Sequence, residues 1–166
     1  MTDMRTRELD APALARLMEK LKSHLRITSN DLDDELMAKL TAAIDSAEHF
    51  IGRIILESSI KDTLPFSSKV AWSRPLISVD GVKVDDTETS DFTEDIFTGT
   101  LFFPEDMTGY AVEVSYTAGM KQVPSDIVNA ILLMASSLFS NPMDSVETLP
   151  NASQLLLRPH RTYDLL

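Results

Sequence analysis

Apolar and polar positions change period twice along this chain of 166 residues. Leu14, Leu17, Leu21 and Leu25 recur at helical spacing, which predicts a short amphipathic helix over about 13–24. After a turn at Thr28, Ser29 and Asn30, the stripe Met37, Leu40, Ile44, Ala47, Ile51 and Ile54 predicts a long helix over about 31–57. Asp31, Asp33, Asp34 and Glu35 open it, placing negative charge at the positive end of the backbone dipole. Gly52 falls inside this span, where glycine costs about 1 kcal/mol relative to alanine. It therefore marks a close approach of another backbone or a tolerated imperfection. From Ser58 to Pro65 the pattern dissolves.

A period of two takes over across about 69–117, in short runs at Val70 to Trp72, Leu76 to Val79, Val82 to Val84, Thr100 to Phe103 and Tyr110 to Tyr116. Asp80-Gly81 is a strong two-residue hairpin signal and Thr98-Gly99 a weaker one. One bulged strand from Ile77 to Val84 is the alternative. Val112, Val114 and Tyr116 share a face, Gly119 ends the run, and Pro124 with Asp126 opens a third helix over about 124–140. Two stripes of that helix, Ile127/Ile131/Met134/Leu138 and Val128/Leu132/Ala135/Phe139, merge into one broad apolar arc. Leu133 lies even among its polar residues Asp126, Asn129, Ser136 and Ser140. One face is expected to pack on the chain's own sheet and the rest to want a second surface, such as a neighbouring copy. A central helix buried in its own domain is the other reading.

Residues 1–12 read as a frayed, flexible N-terminus and residues 13–141 as one domain. Residues 142–166 carry Pro142, Pro150 and Pro159 with little periodicity, so they read as an extended arm with at most one helical turn. Leu155, Leu156 and Leu157 on that arm are expected to dock, either on the parent domain or on a partner. The fold class is thus α+β, mainly helical: a three-helix core, a small antiparallel β region and the arm.

Composition narrows the classes. The chain can bury one proper core, and 43% hydrophobic content suits a soluble globular domain. Without cysteine there is no disulfide framework, thiol nucleophile or thiolate metal site. The apolar stretch Ile127 to Ala135 falls short of the roughly 20 residues a membrane span needs, and MTDMRTRELDAP has no apolar segment of the secretory kind. The expectation is a soluble protein made in the cytoplasm. Net charge is −11, and Thr28 to Thr100 holds fifteen acids against six bases. Proteins that grip phosphates cluster Lys and Arg, so direct nucleic-acid binding is disfavoured.

Catalytic signatures are missing. His24, His49 and His160 lie far apart, without the paired spacing of a helical metal site, and His49 is expected to face water. The five glycines form neither a phosphate-binding loop nor a nucleophile elbow. Asp33, Asp34 and Glu35 fan out around their helix by about 100° each, so they do not converge on an ion. The run Asp80, Asp85, Asp86, Glu88, Asp91, Glu94 and Asp95 lacks the alternation and glycine of a calcium loop and reads as a solvated hairpin rim. Trp72, Phe66, Phe92, Phe97, Phe102 and Phe103 sit among acids rather than bases, so they read as core and not as a base-stacking platform.

In order, LKSHLRI (Leu21 to Ile27), DLDDELMAKLTAAIDSAEHFI (Asp31 to Ile51), a β region closing on VEVSYTAG (Val112 to Gly119) and VPSDIVNAILLMASSLFSN resemble the head-tail connector proteins of tailed double-stranded DNA phages. The closing LLLRPHR (Leu155 to Arg161) is similar to the leucine-rich, Pro-Arg tail of many members. The resemblance implies a structural protein without catalytic residues or cofactor, from a phage or prophage. Its copies would form a closed ring, twelve-fold, beneath the portal protein at the virion head-tail junction. That ring extends the DNA channel and meets a tail-completion protein.

A ring built from head-to-tail contacts needs two different adhesive faces per subunit. Gly52, Leu133, Leu155, Leu156, Leu157, Arg158 and Arg161 are the candidates for a subunit or portal interface, and Asp85, Asp86 and Glu88 for an acidic channel wall. The competing expectation is a small acidic adaptor or regulatory domain that binds one protein as a monomer. A carboxylate-based metal enzyme comes third.

Overall fold

The computed structural model describes residues 4–71, 75–141 and 151–162. The chain divides into two compact units and passes between them after Asp10, after Ile55 and after Lys121.

The first unit, Met1–Asp10 with Leu56–Lys121, is built of antiparallel strands. β1 (Met4–Leu9), β2 (Ser58–Pro65), β8 (Ala111–Ala118), β4 (Leu76–Val84) and β5 (Thr87–Glu88) lie side by side in that order. β3 (Lys69–Ala71), β7 (Thr100–Phe102) and β6 (Thr93–Asp95) form a second, three-stranded sheet. β8 carries the predicted alternation, burying Val112, Val114, Tyr116 and Ala118 on one face.

Several expectations are corrected here. Residues 4–9 are not frayed, since β1 pairs with β2 from Met4 opposite Thr63 to Leu9 opposite Ser58. Arg5, Thr6, Arg7 and Glu8 present no apolar period, so backbone pairing and the reach of Arg5 and Arg7 to Asp62 and Ser58 order this edge. The dissolved stretch is β2, whose inward positions include the polar Ser58 and Asp62 and so conceal the alternation. Asp80-Gly81 is not a hairpin but a bulge within β4, which is the one-bulged-strand alternative. The register against β8 slips between Val79 and Gly81, and Asp80 accepts hydrogen bonds from Ser78 Oγ at 3.0 Å and Thr117 Oγ1 at 3.1 Å. The two-residue hairpin falls at Asp85-Asp86, between Val84 and Thr87, and both residues hold positive φ, 48° and 66°. Aspartate tolerates this left-handed conformation, which tight hairpins require at both central positions.

The second unit, Ala11–Ile55 with Gln122–Leu166, is helical. α1 (Ala11–Leu25), α2 (Asp33–Ile51), α3 (Ser125–Ser140) and α4 (Asn151–Leu157), then a 3-10 turn at Arg158–His160, enclose Leu21, Leu36, Leu40, Ile44, Ile131, Met134 and Leu157. The long helix stops at Ile51 rather than 57. Gly52 is its left-handed cap with φ 71°, and Glu48 O accepts from the backbone N–H of Gly52 and Arg53. Gly52 marks no close backbone approach, because a Cβ there would meet only Thr162 at ordinary contact distance, 3.8 Å.

Within its unit α3 packs against α1, α2 and α4, and Ile127, Ala130, Ile131, Leu132, Met134 and Ala135 are buried. Much of its broad arc is therefore satisfied inside the chain. The description "mainly helical, three-helix core" gives way to an α+β chain in which the strands form a unit of their own and a fourth helix joins the other three. That fourth helix lies in the segment expected to be an extended arm. Residues 142–150 and 163–166, with Pro142 and Pro150, lie outside the described residues, as does Trp72.

Candidate assembly surfaces

The β unit carries a buried polar network. Arg5 donates to Asp62 through Nε at 2.9 Å and Nη2 at 3.0 Å, and Arg5 Nη2 also reaches the Tyr116 hydroxyl at 3.0 Å. That hydroxyl donates to Asp62 Oδ2 at 2.6 Å. Partial burial works to lower the Arg5 pKa, but hydrogen bonds to Asp62 and Tyr116 and the nearby charge raise it above the ordinary arginine value. The network fastens the edge strand β1 to the sheet.

The outer face of the same sheet is polar. A cleft of about 500 Å³ is lined by Thr6, Glu8, Ser59, Lys61, Asp80 and Ser115, among others. Lys61 pairs with Glu113 at 2.9 Å and Lys83 lies 3.9 Å from the same carboxylate. Among the described residues, no group of three His, Asp or Glu comes together to hold a metal ion, and no helix is long and apolar enough to cross a membrane.

The acidic residues assigned to a channel wall sit on the β4–β5 hairpin, and their roles differ. Asp85 is committed internally, accepting from the backbone N–H of Tyr110 and Ala111 at 2.9 to 3.1 Å. Asp86 and Glu88 are exposed.

The residues assigned to subunit contact separate as well. Leu157 is wholly buried in its own unit, so it offers a neighbour nothing. Ser153 Oγ donates to Ala130 O at 3.3 Å, His160 Nε2 lies 2.6 Å from Asp126 Oδ2, and Thr162 N donates to Ile51 O at 2.8 Å. Arg161 lies over the Phe50 ring at 5.5 Å. Segment 151–162 is thus docked on its parent unit. Leu155 stays 67% exposed, Leu133 and Leu156 are half-buried, and Arg158 is exposed. His49 is exposed, as its helix face predicted.

Two features escaped the sequence reading. Phe97 and Phe102, read as core, are exposed, Phe97 to 97% at the tip of the β6–β7 hairpin, and only Phe103 of the six aromatics is classed as buried among the described residues. The pattern Asp95-Ile96-Phe97-Thr98-Gly99 held the signal: an aspartate capping a turn closed by a glycine, here with φ 63°. The second is a groove of about 610 Å³ in the helical unit, lined by Lys20 and by the N-terminal part of α3 with the residues before it.

The model of the phage gp6-like head-tail connector family matches residues 16–93, which run from within α1 to the first residue of β6. A little under half of the chain thus resembles the head-tail connector family, which supports a structural connector role. The chain also shares its fold with solved structures of gene transfer agent (GTA) particles. The neck of an empty GTA particle computed with C6 symmetry matches with TM-score 0.78 and 19% identity, over 98% of this chain and 97% of that one. The neck of a native particle computed with C12 symmetry matches with TM-score 0.75 and 20% identity over the same shares. The virion of a native gene transfer agent particle gives TM-score 0.76 and 18% identity, again over 98% and 97%. A search of curated proteins finds no match to the chain. Since both β and α units lie within the matched length, the whole two-unit fold is shared.

Proposed function

We propose that copies of this connector close into a twelve-fold ring beneath a portal protein, extend the DNA channel at the virion head-tail junction, and present a surface to a tail-completion protein. The observation that carries this reading is the near-complete structural likeness to a particle neck computed with C12 symmetry, together with the family match. The exposed Leu155 and Arg158 and the half-buried Leu133 are its candidate contact residues toward a neighbour or the portal. Asp86 and Glu88 are its candidate channel-facing acids. The host cytoplasm would be the site of synthesis.

The test is reconstitution. Purified connector is added to portal-bearing heads that lack it, and the vertex is imaged. A ring of density below the portal is the expected result. Heads that stay unchanged, with connector remaining monomeric in solution at every concentration tried, would sink the reading in favour of a monomeric adaptor.

A further inference from the structure

Three surfaces invite a partner: the polar cleft over the five-stranded sheet, the hairpin tip at Phe97 and the groove beside α3. The cleft mixes hydroxyls with charges of both signs, Lys61 among them paired with Glu113, and it commits to no ligand chemistry. The tip and the groove complement each other.

At the tip, a single carboxylate fixes the loop. Asp95 Oδ1 accepts from Phe97 N at 3.0 Å and Thr98 N at 3.3 Å, while Oδ2 accepts from Thr98 Oγ1 at 2.7 Å. These bonds hold the Asp95 carboxyl below its ordinary pKa, the Thr98 hydroxyl acting most strongly. The loop therefore displays Phe97 in a set position before any partner arrives. Ile96 beside it is 47% exposed and Phe102, on β7, 41%. One surface phenylalanine alone is ordinary in a folded protein, but Ile96 and Phe97 stand exposed together on one ordered turn, while Phe102 lies along β7 opposite Thr93 with Lys69 Nζ 5.6 Å from its ring. A rigid aromatic knob suits association, because little side-chain freedom is lost when it docks.

In the groove, Val123, Pro124 and Val128 are half-buried and apolar, Leu132 forms part of the wall, and Asn129 and Ser125 sit at the rim. Its volume falls within the range that encloses small ligands and comfortably exceeds one aromatic ring. Lys20 is the one charged residue lining it among the described residues. The hairpin that carries Phe97 is acidic, with Asp91, Glu94 and Asp95 and no base between them. An apolar knob beside acids is thus complementary in chemistry to an apolar hole with a lysine at its rim, and both belong to the same chain. A cyclic ring requires two such unlike, complementary patches on each subunit.

We propose that Phe97 of one copy inserts into the groove lined by Val123, Pro124, Val128 and Leu132 of the next copy, with Glu94 set against Lys20. The proposal rests on the ring reading and names the contact that closes it. Phe97 acts as the anchor, and the charge pair sets register and favours the right encounter.

Because the chain has no cysteine, two substitutions give a clean cross-linking test. Full-length Phe97→Cys and Val128→Cys proteins are mixed, assembled on portal-bearing heads and oxidised, so that a disulfide between the two variants joins different copies only. The expected result is a Phe97→Cys to Val128→Cys dimer, absent when either variant assembles alone. Rings that form without this cross-link, or in which the tip cysteine bonds to its own kind, overturn the contact and leave the connector reading standing. So does ring formation by Phe97→Ala at unchanged yield, where loss of a hot-spot anchor should weaken assembly roughly twenty-fold or more. Glu94→Lys should weaken assembly, and adding Lys20→Glu to the same chain should restore it. Rescue would not follow if the tip meets a different protein. Heads that gain no ring from the unaltered protein overturn both readings.

Discussion

At the scale of single residues, two positions in the β unit show how little freedom the fold leaves. Gly119 follows β8 with φ 136°, and a Cβ there would come within 2.6 Å of the Glu57 backbone and 2.7 Å of the Leu56 carbonyl carbon. Gly119 N also donates to Pro75 O at 2.8 Å. Alanine would meet both backbone strain and a steric clash with main chain that cannot swing away, so Gly119→Ala should destabilise by about 2–4 kcal/mol. Gly81, with nothing within 4 Å of a built Cβ, is the control expected to unfold within about 1 kcal/mol of the parent. Urea denaturation of both variants checks this. The second position is Asp62, 7% exposed, which answers both Arg5 and the Tyr116 hydroxyl. Tyr116→Phe removes one arm of the network and should cost about 1–2 kcal/mol. Asp62→Ala strips the carboxylate from both partners and should cost about 2–3 kcal/mol. A double-mutant cycle read by denaturation should show the two changes to be non-additive. Additivity would mean that the residues do not act together.

Among elements, α4 with its 3-10 turn is the one whose docking is tuned by charge. His160 and Asp126 meet at 2.6 Å, and the Asp126 pKa is lowered, first by the hydrogen bond with His160. A carboxylate with a depressed folded pKa contributes stability that is present above its unfolded value, about 3.9, and is lost as pH falls through the folded one. Hydrogen exchange should therefore show segment 151–162 protected at pH 5 to 7 and opening below about pH 4, ahead of the β unit. Asp126→Asn should raise exchange in this segment at neutral pH with only a small loss of global stability, because the pair is partly solvent-accessible and Leu157, Ser153 and Thr162 still hold the segment. This element also marks where sequence reasoning reached and where it stopped. α1, α2, α3 and β8 were legible because each buries one clean apolar stripe, as in Leu36 to Ile51 or Val112 to Ala118. α4 was not, because Pro150 and Pro159 bracket only seven helical residues, too few for a period to emerge. β1 and β2 were hidden because the residues they bury include Ser58 and Asp62, whose place inside depends on partners distant in sequence. Phe97 was misread because aromatic residues in strands are usually core, and only the Asp95 cap three-dimensionally distinguishes a displayed ring from a buried one. The leucines of this segment differ in exposure for a related reason: neighbouring leucines on a helix point in different directions, so Leu157 turns inward while Leu155 remains outside.

For the whole molecule, charge is the property that a ring multiplies. The chain carries −11 and its span Thr28 to Thr100 holds most of the excess acid, part of it on the exposed β4–β5 hairpin. If the proposed ring forms with that hairpin at its lumen, the same acids recur in every copy and the wall repels phosphate instead of holding it, an effect that salt screens over about 8 Å at physiological ionic strength. Asp85 does not belong in a test of this idea, because its carboxylate holds Tyr110 and Ala111 and its loss would disturb the hairpin itself. Combined in one variant, Glu88→Lys reverses one exposed charge per copy, and Asp86→Asn removes a second while keeping a residue that tolerates the left-handed backbone there, φ 66°, so the Asp85 bonds are left alone. Particles carrying that variant should assemble normally, eject DNA more slowly at low salt, and regain the parental rate as ionic strength rises and screens the new attraction. Ejection at the parental rate in low salt would place the hairpin away from the lumen. Slow ejection that salt does not relieve would point to a distorted ring rather than to electrostatic drag.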